Sequence, residues 1–379
     1  MEDVYRRLAA KLEALPFGFP PTESGVEIAI LRKIFSPEDA AFALDLLPVP
    51  ETLEALARRL RRPAAELEPT LEGMAARGQI GAGFLRGRRV YQFVPFVIGI
   101  YEFQLPHMDA ELATLAEQYL PALTRAIGAT EPALARVVPV NAHIDARAQV
   151  LAHEDVRRML AGAVSFLLME CVCTKEQSAL GKECRHMRER CLAFSSEPGA
   201  YERFPYGRTV TREEALAVVE AAEREGLVHC TYNVRQEQLF LCNCCSCCCG
   251  FLRGLRDFEA PHFLVHSNYV AAIDQRACVV CGDCGGDRCP MGAISEHEAA
   301  WSVAAERCIG CGACTLACPA DAIALVPRPK AERTKPPKHI MSWAFRRAVG
   351  RAGPVRAIAQ FGALTAKTLA ASRGEPRRG

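Results

Sequence analysis

The N-terminal residues 1–106 carry helical hydrophobic stripes followed by a glycine-rich extended segment. Ser36 stands directly before a proline. This pair is typical of a helix start, because a serine side chain caps the first turn and proline fits the first helical position. Apolar positions that recur with the helical period predict two further amphipathic helices, over 52–60 and 64–77. Residues 80–93 predict a β-hairpin that contains several glycines. This order of elements predicts a separate N-terminal domain.

The pattern beyond the hairpin predicts mixed helices and strands. Residues 107–163 contain no cysteine and predict a helix–strand linker region. Apolar residues over 164–169 predict a buried strand, which opens a cysteine-rich α/β domain over 164–260. Inside that domain Thr211 begins a helix with a capping box, and residues 227–232 predict another strand.

Composition places the chain among globular proteins but sets it apart by its cysteines. It has 379 residues, of which 50% are hydrophobic and 24% charged, and a net charge of +2. It is therefore long enough for several domains and shows no overall attraction to polyanions. The N-terminus lacks the apolar core of a secretion signal, and no apolar run is long enough for a membrane-spanning helix. The 19 cysteines, none before Cys171, therefore predict metal binding in a cytoplasmic protein rather than disulfides.

Eight of the cysteines form two runs with a shared spacing and a shared ending. Each run reads C-x2-C-x2-C and continues to a Cys-Pro pair, whose prolines are Pro290 and Pro319. Such a turn brings three thiolates to one face of an iron–sulfur cube, while the cysteine before proline ligates the other cube. Paired C-x2-C motifs also bind zinc. Two runs of four cysteines with Cys-Pro endings favour iron and sulfide.

With these motifs, residues 268–326 resemble the bacterial-type two-cluster ferredoxins, within a predicted domain over 261–326. The resemblance implies two [4Fe-4S] clusters with crossed ligands. One cluster would be held by Cys278, Cys281, Cys284 and Cys318, and the other by Cys308, Cys311, Cys314 and Cys289. The spacing from Cys284 to Cys289 is one residue longer than that from Cys314 to Cys318, which predicts a bulge in the first loop.

The cysteine-rich domain predicts a further iron–sulfur cluster. Eleven cysteines lie between Cys171 and Cys249, and six of them fall within residues 242–249, a density that predicts a loop wrapped around a metal group. The favoured ligand set is Cys173, Cys184, Cys191 and Cys244. The other candidate ligands are Cys171, Cys242, Cys245, Cys247, Cys248 and Cys249. Interleaved Lys and Arg side chains would offset cluster charge, while zinc and a redox-active dithiol are the alternatives.

The last segment, 327–379, is strongly basic, with thirteen Lys and Arg against two Glu. Prolines predict an extended linker at its start, and two short amphipathic helices follow, over 340–349 and 355–369. The candidate anchors on these helices are Trp343, Phe345 and Phe361. A basic amphipathic helix is typical of contact with an anionic membrane surface or an acidic partner, so peripheral contact with the inner membrane face is expected. A solvated, disordered tail is the alternative.

The N-terminal helix–turn–helix and hairpin resemble a winged-helix domain in pattern. In such domains the second helix of the pair presents donors to a nucleic-acid groove. Here that helix carries Glu66, Glu68 and Glu72, whose charges phosphate would repel. Nucleic-acid binding is therefore disfavoured, and docking to protein is favoured.

The sequence thus predicts an α+β multidomain protein with a winged-helix-like N-terminal domain, a cysteine-rich α/β middle domain, a ferredoxin-like two-cluster module and a basic helical tail. It favours an electron carrier or electron-transfer subunit with a redox protein partner. No dinucleotide fingerprint, catalytic side-chain set or small-molecule substrate is evident. Two other classes stay open. One is a redox-sensing transcriptional regulator, and the other is a catalytic iron–sulfur subunit with a reactive cluster among Cys242–Cys249.

Overall fold

The N-terminal part folds as helices around a small sheet. The computed structural model describes residues 3–140, 152–258, 260, 262–298 and 300–372. The helices of this part are α1 Val4–Glu13, α2 Val26–Ile34, α3 Pro37–Ala43, α4 Leu53–Leu60 and α5 Ala64–Ala76. Its strands are β1 Glu51–Thr52, β2 Gly81–Leu85 and β3 Arg88–Gln92, in the order β1-β3-β2. The predicted helices and hairpin therefore form, and Ser36 Oγ accepts the capping hydrogen bond from the Asp39 N–H at 3.1 Å.

The apolar stripe predicted on α5 joins the helices of this part. Leu67, Leu71 and Met74 have no exposed surface and lie in one hydrophobic cluster with Leu56 of α4. Burying a side chain of this size contributes about 1.5–3 kcal/mol to stability. The same cluster continues to residues of the central sheet such as Val228, so the N-terminal part packs onto the rest of the chain.

A seven-stranded sheet forms the middle of the described chain. Its strands are β4 Ala135–Val138, β5 Ser165–Glu170, β6 Glu189–Ser195, β7 Arg208–Val210, β8 Val228–Tyr232, β9 Phe240–Cys244 and β10 Leu264–Val265. The order is β10-β4-β8-β9-β6-β5-β7, with β10 and β4 parallel and the other neighbours antiparallel. The accompanying helices are α6 Tyr101–Phe103, α7 Ala110–Gly128, α8 Val156–Ala161, α9 Val172–Ala179, α10 Arg212–Arg224 and α11 Gly250–Asp257. The strand predicted over 164–169 and the helix capped by Thr211 are both present.

Residues 107–163, predicted as a linker region, contribute a strand to this sheet. All four residues of β4 are buried, since β4 lies between β10 and β8. Arg136 of β4 pairs with Glu154 at 2.8 Å, and both side chains are almost without exposed surface. The Glu154 carboxylate also accepts a hydrogen bond from the Asn268 N–H at 2.9 Å. This region therefore ties the sheet to the ferredoxin-like module, which begins at that point.

The ferredoxin-like module contains two short antiparallel ribbons. Strand β11 Tyr269–Ile273 pairs with β14 Ile323–Pro327, and β12 Ile294–His297 pairs with β13 Ala300–Val303. Strand β12 begins soon after the first Cys-Pro pair, and β14 begins soon after the second. The two ribbons thereby fix the ends of both cysteine runs.

The predicted tail helices form, but the first of them packs into the protein. They are α12 Ile340–Ala352 and α13 Pro354–Ser372. Trp343 has no exposed surface, and its ring centroid lies 4.9 Å from that of Phe17. Its Nε1 donates a hydrogen bond to the Ala133 carbonyl at 2.8 Å. The expectation that Trp343 anchors the protein to an external surface is therefore wrong, because the amphipathic face of α12 covers the protein's own core.

The outer side of the tail helices exposes apolar residues. Val355 is 80% exposed and Ile358 is 61% exposed, whereas the ring of Phe345 packs 5.3 Å from that of Phe361. Residues 373–379, which carry part of the predicted basic charge, lie outside the described residues. Among the helices of the described ranges, none combines the length and the apolar character needed to cross a bilayer.

Candidate iron–sulfur and metal sites

Two cavities in the ferredoxin-like module are each lined by four cysteines taken from both runs. The first cavity is lined by Cys278, Cys281, Cys284 and Cys318. The second is lined by Cys289, Cys308, Cys311 and Cys314. The fourth cysteine of each run thus faces the cavity of the other run, as a crossed pair of iron–sulfur cubes requires. The remaining lining is largely apolar, with Trp301 at the first cavity and Leu325 at the second.

The two sulfurs before proline receive matching backbone hydrogen bonds. The Ala293 N–H donates to Cys289 Sγ, and the Ala322 N–H donates to Cys318 Sγ, each at 3.2 Å. Hydrogen bonds to ligand sulfur stabilise the thiolate and tune the reduction potential of a bound cluster. The two halves of the module therefore agree in local geometry as well as in sequence.

One glycine beside the second run is required by its surroundings. Gly310 has φ +65°, and a Cβ built on it would lie only 2.2 Å from the Tyr269 carbonyl oxygen. The matching residue of the first run is Val280, which has φ +56° and is 44% exposed. A left-handed conformation costs a residue with a side chain roughly 1–2 kcal/mol, but exposure spares Val280 a clash. The second run is therefore the more tightly enclosed of the two.

The longer spacing between Cys284 and Cys289 forms a turn that also fastens the module to the cysteine-rich domain. Gly286 in this turn has φ +51°. Arg288 lies in the same turn. Its Nε donates a hydrogen bond to the Ala313 carbonyl at 2.7 Å, and one of its terminal nitrogens donates to the Arg224 carbonyl at 3.0 Å. Arg224 ends α10, where free carbonyl groups attract a cation. The loop thus bridges the second cysteine run and α10.

The cysteine-rich domain brings four thiols together at one point. The Sγ atoms of Cys184, Cys245, Cys247 and Cys248 all lie within 4.8 Å of one another. Cys184 Sγ is 3.8 Å from Cys245 Sγ and also from Cys247 Sγ. A tetrahedral site with metal–sulfur bonds of about 2.3 Å places its sulfurs about 3.8 Å apart. The spacing in this four-thiol site therefore suits a single ion bound by thiolates.

The other cysteines of the favoured ligand set lie in a second group of thiols. Neighbouring thiols shift the pKa of each member of this group, which consists of Cys171, Cys173, Cys191, Cys242, Cys244 and Cys249. The structure places Cys184 in the four-thiol site, while Cys173 packs against the same small hydrophobic cluster as Cys184. The favoured set of Cys173, Cys184, Cys191 and Cys244 stays a prediction.

The local backbone explains this division of the cysteine block. Strand β9 ends at Cys244, and the two-residue period of a strand points Cys242 and Cys244 to the same face. The chain then turns, and α11 begins directly after Cys249. Sequence reasoning predicted a single loop around one metal group, because it could not foresee a strand end and a helix start within eight residues. The Cys-x-Cys alternation at 242–244 was the available signal.

Arg190 lies between the two thiol groups and has no exposed surface. Its terminal nitrogen donates to Cys245 Sγ at 3.1 Å and to Thr174 Oγ1 at 2.5 Å. The hydrogen bond with Cys248 and the charge of Arg190 lower the pKa of Cys245 to about 4, although burial opposes this. Contacts with neighbouring thiols and the same guanidinium hold the pKa of Cys171 well below its usual value. Each group thus contains a thiol predisposed to bind metal as a thiolate.

Two carboxyl groups with raised pKa values, those of Glu102 and Glu176, lie near Cys171 and Cys173, and sequence reasoning missed both. Burial raises the pKa of Glu102 to about 7 and that of Glu176 to about 7. The Tyr101 hydroxyl donates a hydrogen bond to the Glu176 carboxylate. All three residues line a cavity that also reaches Cys173. No motif marks these glutamates, because they meet only when α6 and α9 pack in the folded chain.

Comparisons with known proteins match the ferredoxin-like module. Residues 262–323 match a family model described as a 4Fe-4S dicluster domain. Electron transport protein HydN of Escherichia coli (strain K12) is 37% identical over 71 residues, which are 18% of this chain and 41% of that protein. A component of the ion-translocating oxidoreductase complex of Methanosarcina acetivorans is 38% identical over 74 residues, which are 18% of this chain and 28% of that protein. Comparison with solved structures gave no significant match.

These matches bear on one module of a larger chain. The chain spans less than half the length of the curated relatives it matches. The sequence prediction of a ferredoxin-type domain is confirmed for the matched segment, and the chain around it is a mixture of helices and sheets. Residues 262–323 therefore form a 4Fe-4S dicluster domain.

Proposed function

We propose that this protein transfers single electrons through iron–sulfur clusters to or from a redox partner protein. The observation that carries the proposal is the pair of cavities in which Cys289 and Cys318 each face the three cysteines of the other run. The matched relatives include a protein named for electron transport and a component of an ion-translocating oxidoreductase complex, which supports the same chemistry here. Bound clusters supply one-electron redox chemistry, while the chain ligates them, buries them and hydrogen-bonds their ligands.

The proposed ligand sets are crossed and differ in burial. One [4Fe-4S] cluster is assigned to Cys278, Cys281, Cys284 and Cys318, and the other to Cys308, Cys311, Cys314 and Cys289. Cys311 and Cys314 are buried, whereas Cys281 is exposed. Solvent exposure is one of the factors that set the reduction potential of a cluster. The two clusters are therefore expected to have different potentials.

The exposed loop of the first run is the proposed contact for the redox partner. Val279 is 62% exposed and Val280 is 44% exposed, directly beside Cys281. Contiguous exposed apolar residues are typical of sites that contact other proteins. An electron can thus enter or leave at the cluster assigned to the first run, whose ligand Cys281 is exposed. The cluster assigned to the second run, with its buried ligands Cys311 and Cys314, faces the rest of the chain.

Anaerobic reconstitution of the full chain tests the proposal through the ligand residues. The double variant Cys278→Ser with Cys281→Ser is expected to lose roughly four irons per chain, the content of one cluster. Iron and sulfide analysis with EPR on the reduced protein measures the loss. Cys230→Ser is the matched control, because Cys230 is a buried cysteine outside both ligand sets. Zinc in the reconstituted module, without a visible charge-transfer band, would contradict the proposal.

We infer that the four-thiol site of Cys184, Cys245, Cys247 and Cys248 binds one metal ion, with zinc as the first candidate. The sulfur spacing supports a tetrahedral ion, and Cys245 is readily deprotonated beside Arg190. A further iron–sulfur cluster in the cysteine-rich domain is proposed at other cysteines. An ion bound at the four-thiol site would then connect the segment that contains Cys184 to the turn that follows β9.

The N-terminal part is proposed to be a winged-helix-type docking module. Helices α4 and α5, the hairpin β2–β3 and the pairing of β1 with β3 support this assignment. Glu72 of α5 pairs with Arg89 at 2.9 Å and lies 3.5 Å from Arg203 of the cysteine-rich domain. At the hairpin tip the Arg86 N–H donates to the Glu197 carboxylate at 3.0 Å. Because the chain itself occupies this face, docking within the chain is favoured over a nucleic-acid-binding regulator.

Peripheral contact with an anionic membrane surface is proposed for the outer side of α12 and α13. The exposed residues Val355 and Ile358 supply apolar surface, and Arg356 stands between them in sequence. Each Lys or Arg near an anionic membrane contributes about 1 kcal/mol. The proposed lipid contact is therefore made by this exposed face and not by Trp343, which is buried.

Substituting aspartate at both Val355 and Ile358 is expected to abolish co-sedimentation with vesicles that contain anionic lipid. The change removes the exposed apolar contact and adds charges that the lipid repels. Binding of the unmodified chain should also fall with added salt, since screening acts beyond about 8 Å at physiological ionic strength. Leu85→Asp, at another exposed apolar residue, is the matched control. Equal sedimentation of all three proteins would contradict a membrane role for this face.

A further inference from the structure

A charged side chain lines one of the two cysteine cavities in the ferredoxin-like module. Arg288 borders the second cavity, which is lined by Cys289, Cys308, Cys311 and Cys314. Among the described residues, those that line the first cavity include no Lys, Arg, Asp or Glu. The two proposed cluster sites therefore differ in charge as well as in burial.

The guanidinium of Arg288 is fixed by backbone carbonyl groups. Its Nε donates to the Ala313 carbonyl at 2.7 Å, and its terminal nitrogens donate to the carbonyls of Arg224 at 3.0 Å and Glu223 at 3.3 Å. Ala313 lies inside the second cysteine run, so the first of these hydrogen bonds holds the cation against the ligand loop. Within the described part of the chain, no carboxylate pairs with Arg288. Its positive charge is therefore not neutralised by an ion pair.

A second arginine near the same cysteine run has a carboxylate partner. Arg328 is 4% exposed and donates to the carbonyl of Cys308 and, at 3.0 Å, to that of Tyr269. It also lies 3.5 Å from the Glu332 carboxylate, which offsets its charge. Of these two arginines, Arg288 is therefore the one that leaves a net positive charge beside the second cavity.

The two halves of the module do not share this cation. Arg288 directly precedes Cys289, whereas Ala317 directly precedes Cys318 at the matching position. Arg288 also belongs to the turn that starts after Cys284 and is one residue longer than its counterpart. The irregular turn of the first run thus places a cation at the cavity of the second run.

A fixed cation favours the reduced form of a neighbouring cluster, because reduction adds a negative charge to the cluster. Arg288 is half-buried, so salt screens its charge less than it screens an exposed one. The adjacent carboxylate of Asp287 is 82% exposed and pairs with Arg185 at 3.0 Å, so its own effect is screened. Burial of a cluster acts in the opposite direction, since a low dielectric disfavours the added charge. The charge of Arg288 offsets that cost at the second cavity.

We propose that Arg288 raises the reduction potential of the cluster assigned to the second run, and that it thereby draws electrons inward from the cluster assigned to the first run. The inference rests on the proposed electron-transfer function and names a residue that sets the direction of transfer. In each transfer the first-run cluster loses one electron and the second-run cluster gains it. The redox partner supplies the electron at the exposed loop of the first run.

A redox titration of the reconstituted full chain, followed by EPR, tests the role of Arg288. The variant with Cys278→Ser and Cys281→Ser should keep the second-run cluster alone, so the measured potential belongs to that cluster. In this background Arg288→Gln is expected to shift the equilibrium towards the oxidised form by roughly tenfold, which is about 59 mV for a one-electron couple. Arg288→Lys keeps the charge and should show a smaller shift. Arg276→Gln is the matched control, because Arg276 belongs to the same module but is exposed.

The outcomes separate this inference from the proposed function, which iron and sulfide analysis tests independently. An unchanged potential in Arg288→Gln, or an equal shift in the control, would overturn the inference and leave the clusters in place. If Arg288→Gln does not retain its cluster, Ala317→Arg is measured in a chain with Cys308→Ser and Cys311→Ser, which should keep the first-run cluster alone. This change adds a cation directly before Cys318, a proposed ligand of that cluster. A raised potential supports the inference, and an unchanged potential contradicts it.

Discussion

Replacing Trp343 by alanine is expected to lower the free energy of unfolding by about 3–5 kcal/mol, the usual cost of removing a large aromatic side chain from a core. Trp343 is fully buried, with its ring centroid 4.9 Å from that of Phe17 and 6.4 Å from that of Tyr232. Its Nε1 also donates to the Ala133 carbonyl at 2.8 Å. The substitution therefore removes packing and leaves a buried carbonyl without this donor.

Denaturant unfolding followed by circular dichroism measures the effect on stability. Phe345 lies on the same helix but is 36% exposed, so Phe345→Ala is the matched control. Its cost should be far smaller, because less packing is lost. If Trp343→Ala costs no more than Phe345→Ala, α12 is a peripheral appendage and its packing against Phe17 does not stabilise the protein.

The same helix shows why truncation of the basic tail is a poor test of its role. The Arg347 guanidinium is fully buried and donates to four backbone carbonyls, those of Pro16, Ile127, Thr130 and Pro132. Removing α12 would strip these carbonyls of their donors and open the core. Point substitutions on the outer side, at Val355 and Ile358, leave this packing intact.

The ferredoxin-like module could be predicted from sequence because its geometry is local. Cys278, Cys281 and Cys284 lie within seven residues, so the turn itself brings their sulfurs together. The Cys-Pro pair that ends each run is part of the pattern from which the crossed arrangement of Cys289 and Cys318 was predicted. The requirement for Gly310 was less visible, since the close carbonyl of Tyr269 belongs to a strand that precedes both runs.

The four-thiol site of the cysteine-rich domain could not be predicted, because tertiary contacts bring its cysteines together. Cys184 and Cys245 are 61 residues apart in sequence, yet their sulfurs are 3.8 Å apart in the fold. The number of cysteines in this domain is sufficient for a further metal group, but the sequence does not show which distant thiols lie close together in the fold. The tail presented a similar problem, since the apolar stripe of α12 is equally compatible with a membrane and with the core that contains Trp343.

Replacing Arg190 by methionine is expected to weaken metal binding at the four-thiol site by roughly 10–100-fold, the usual effect of losing a group that orients metal ligands. Arg190 donates to Cys245 Sγ at 3.1 Å and to Cys184 Sγ at 3.8 Å. Together with the Cys248 hydrogen bond, its charge lowers the pKa of Cys245 to about 4. Without the guanidinium that pKa rises, so protons compete with metal for the thiolate. The loss should therefore be larger at about pH 6 than at about pH 8.

Competition with a chromogenic chelator measures this affinity at both pH values. Arg190→Lys keeps the charge but not the planar fork of donors, so an intermediate loss is expected. The matched control is Arg188→Met, because Arg188 is exposed and only two residues away. An equal loss in Arg188→Met would attribute the effect to long-range charge instead of contact. Unchanged affinity of Arg190→Met at both pH values would show that the four thiols bind their ion without help from the buried guanidinium.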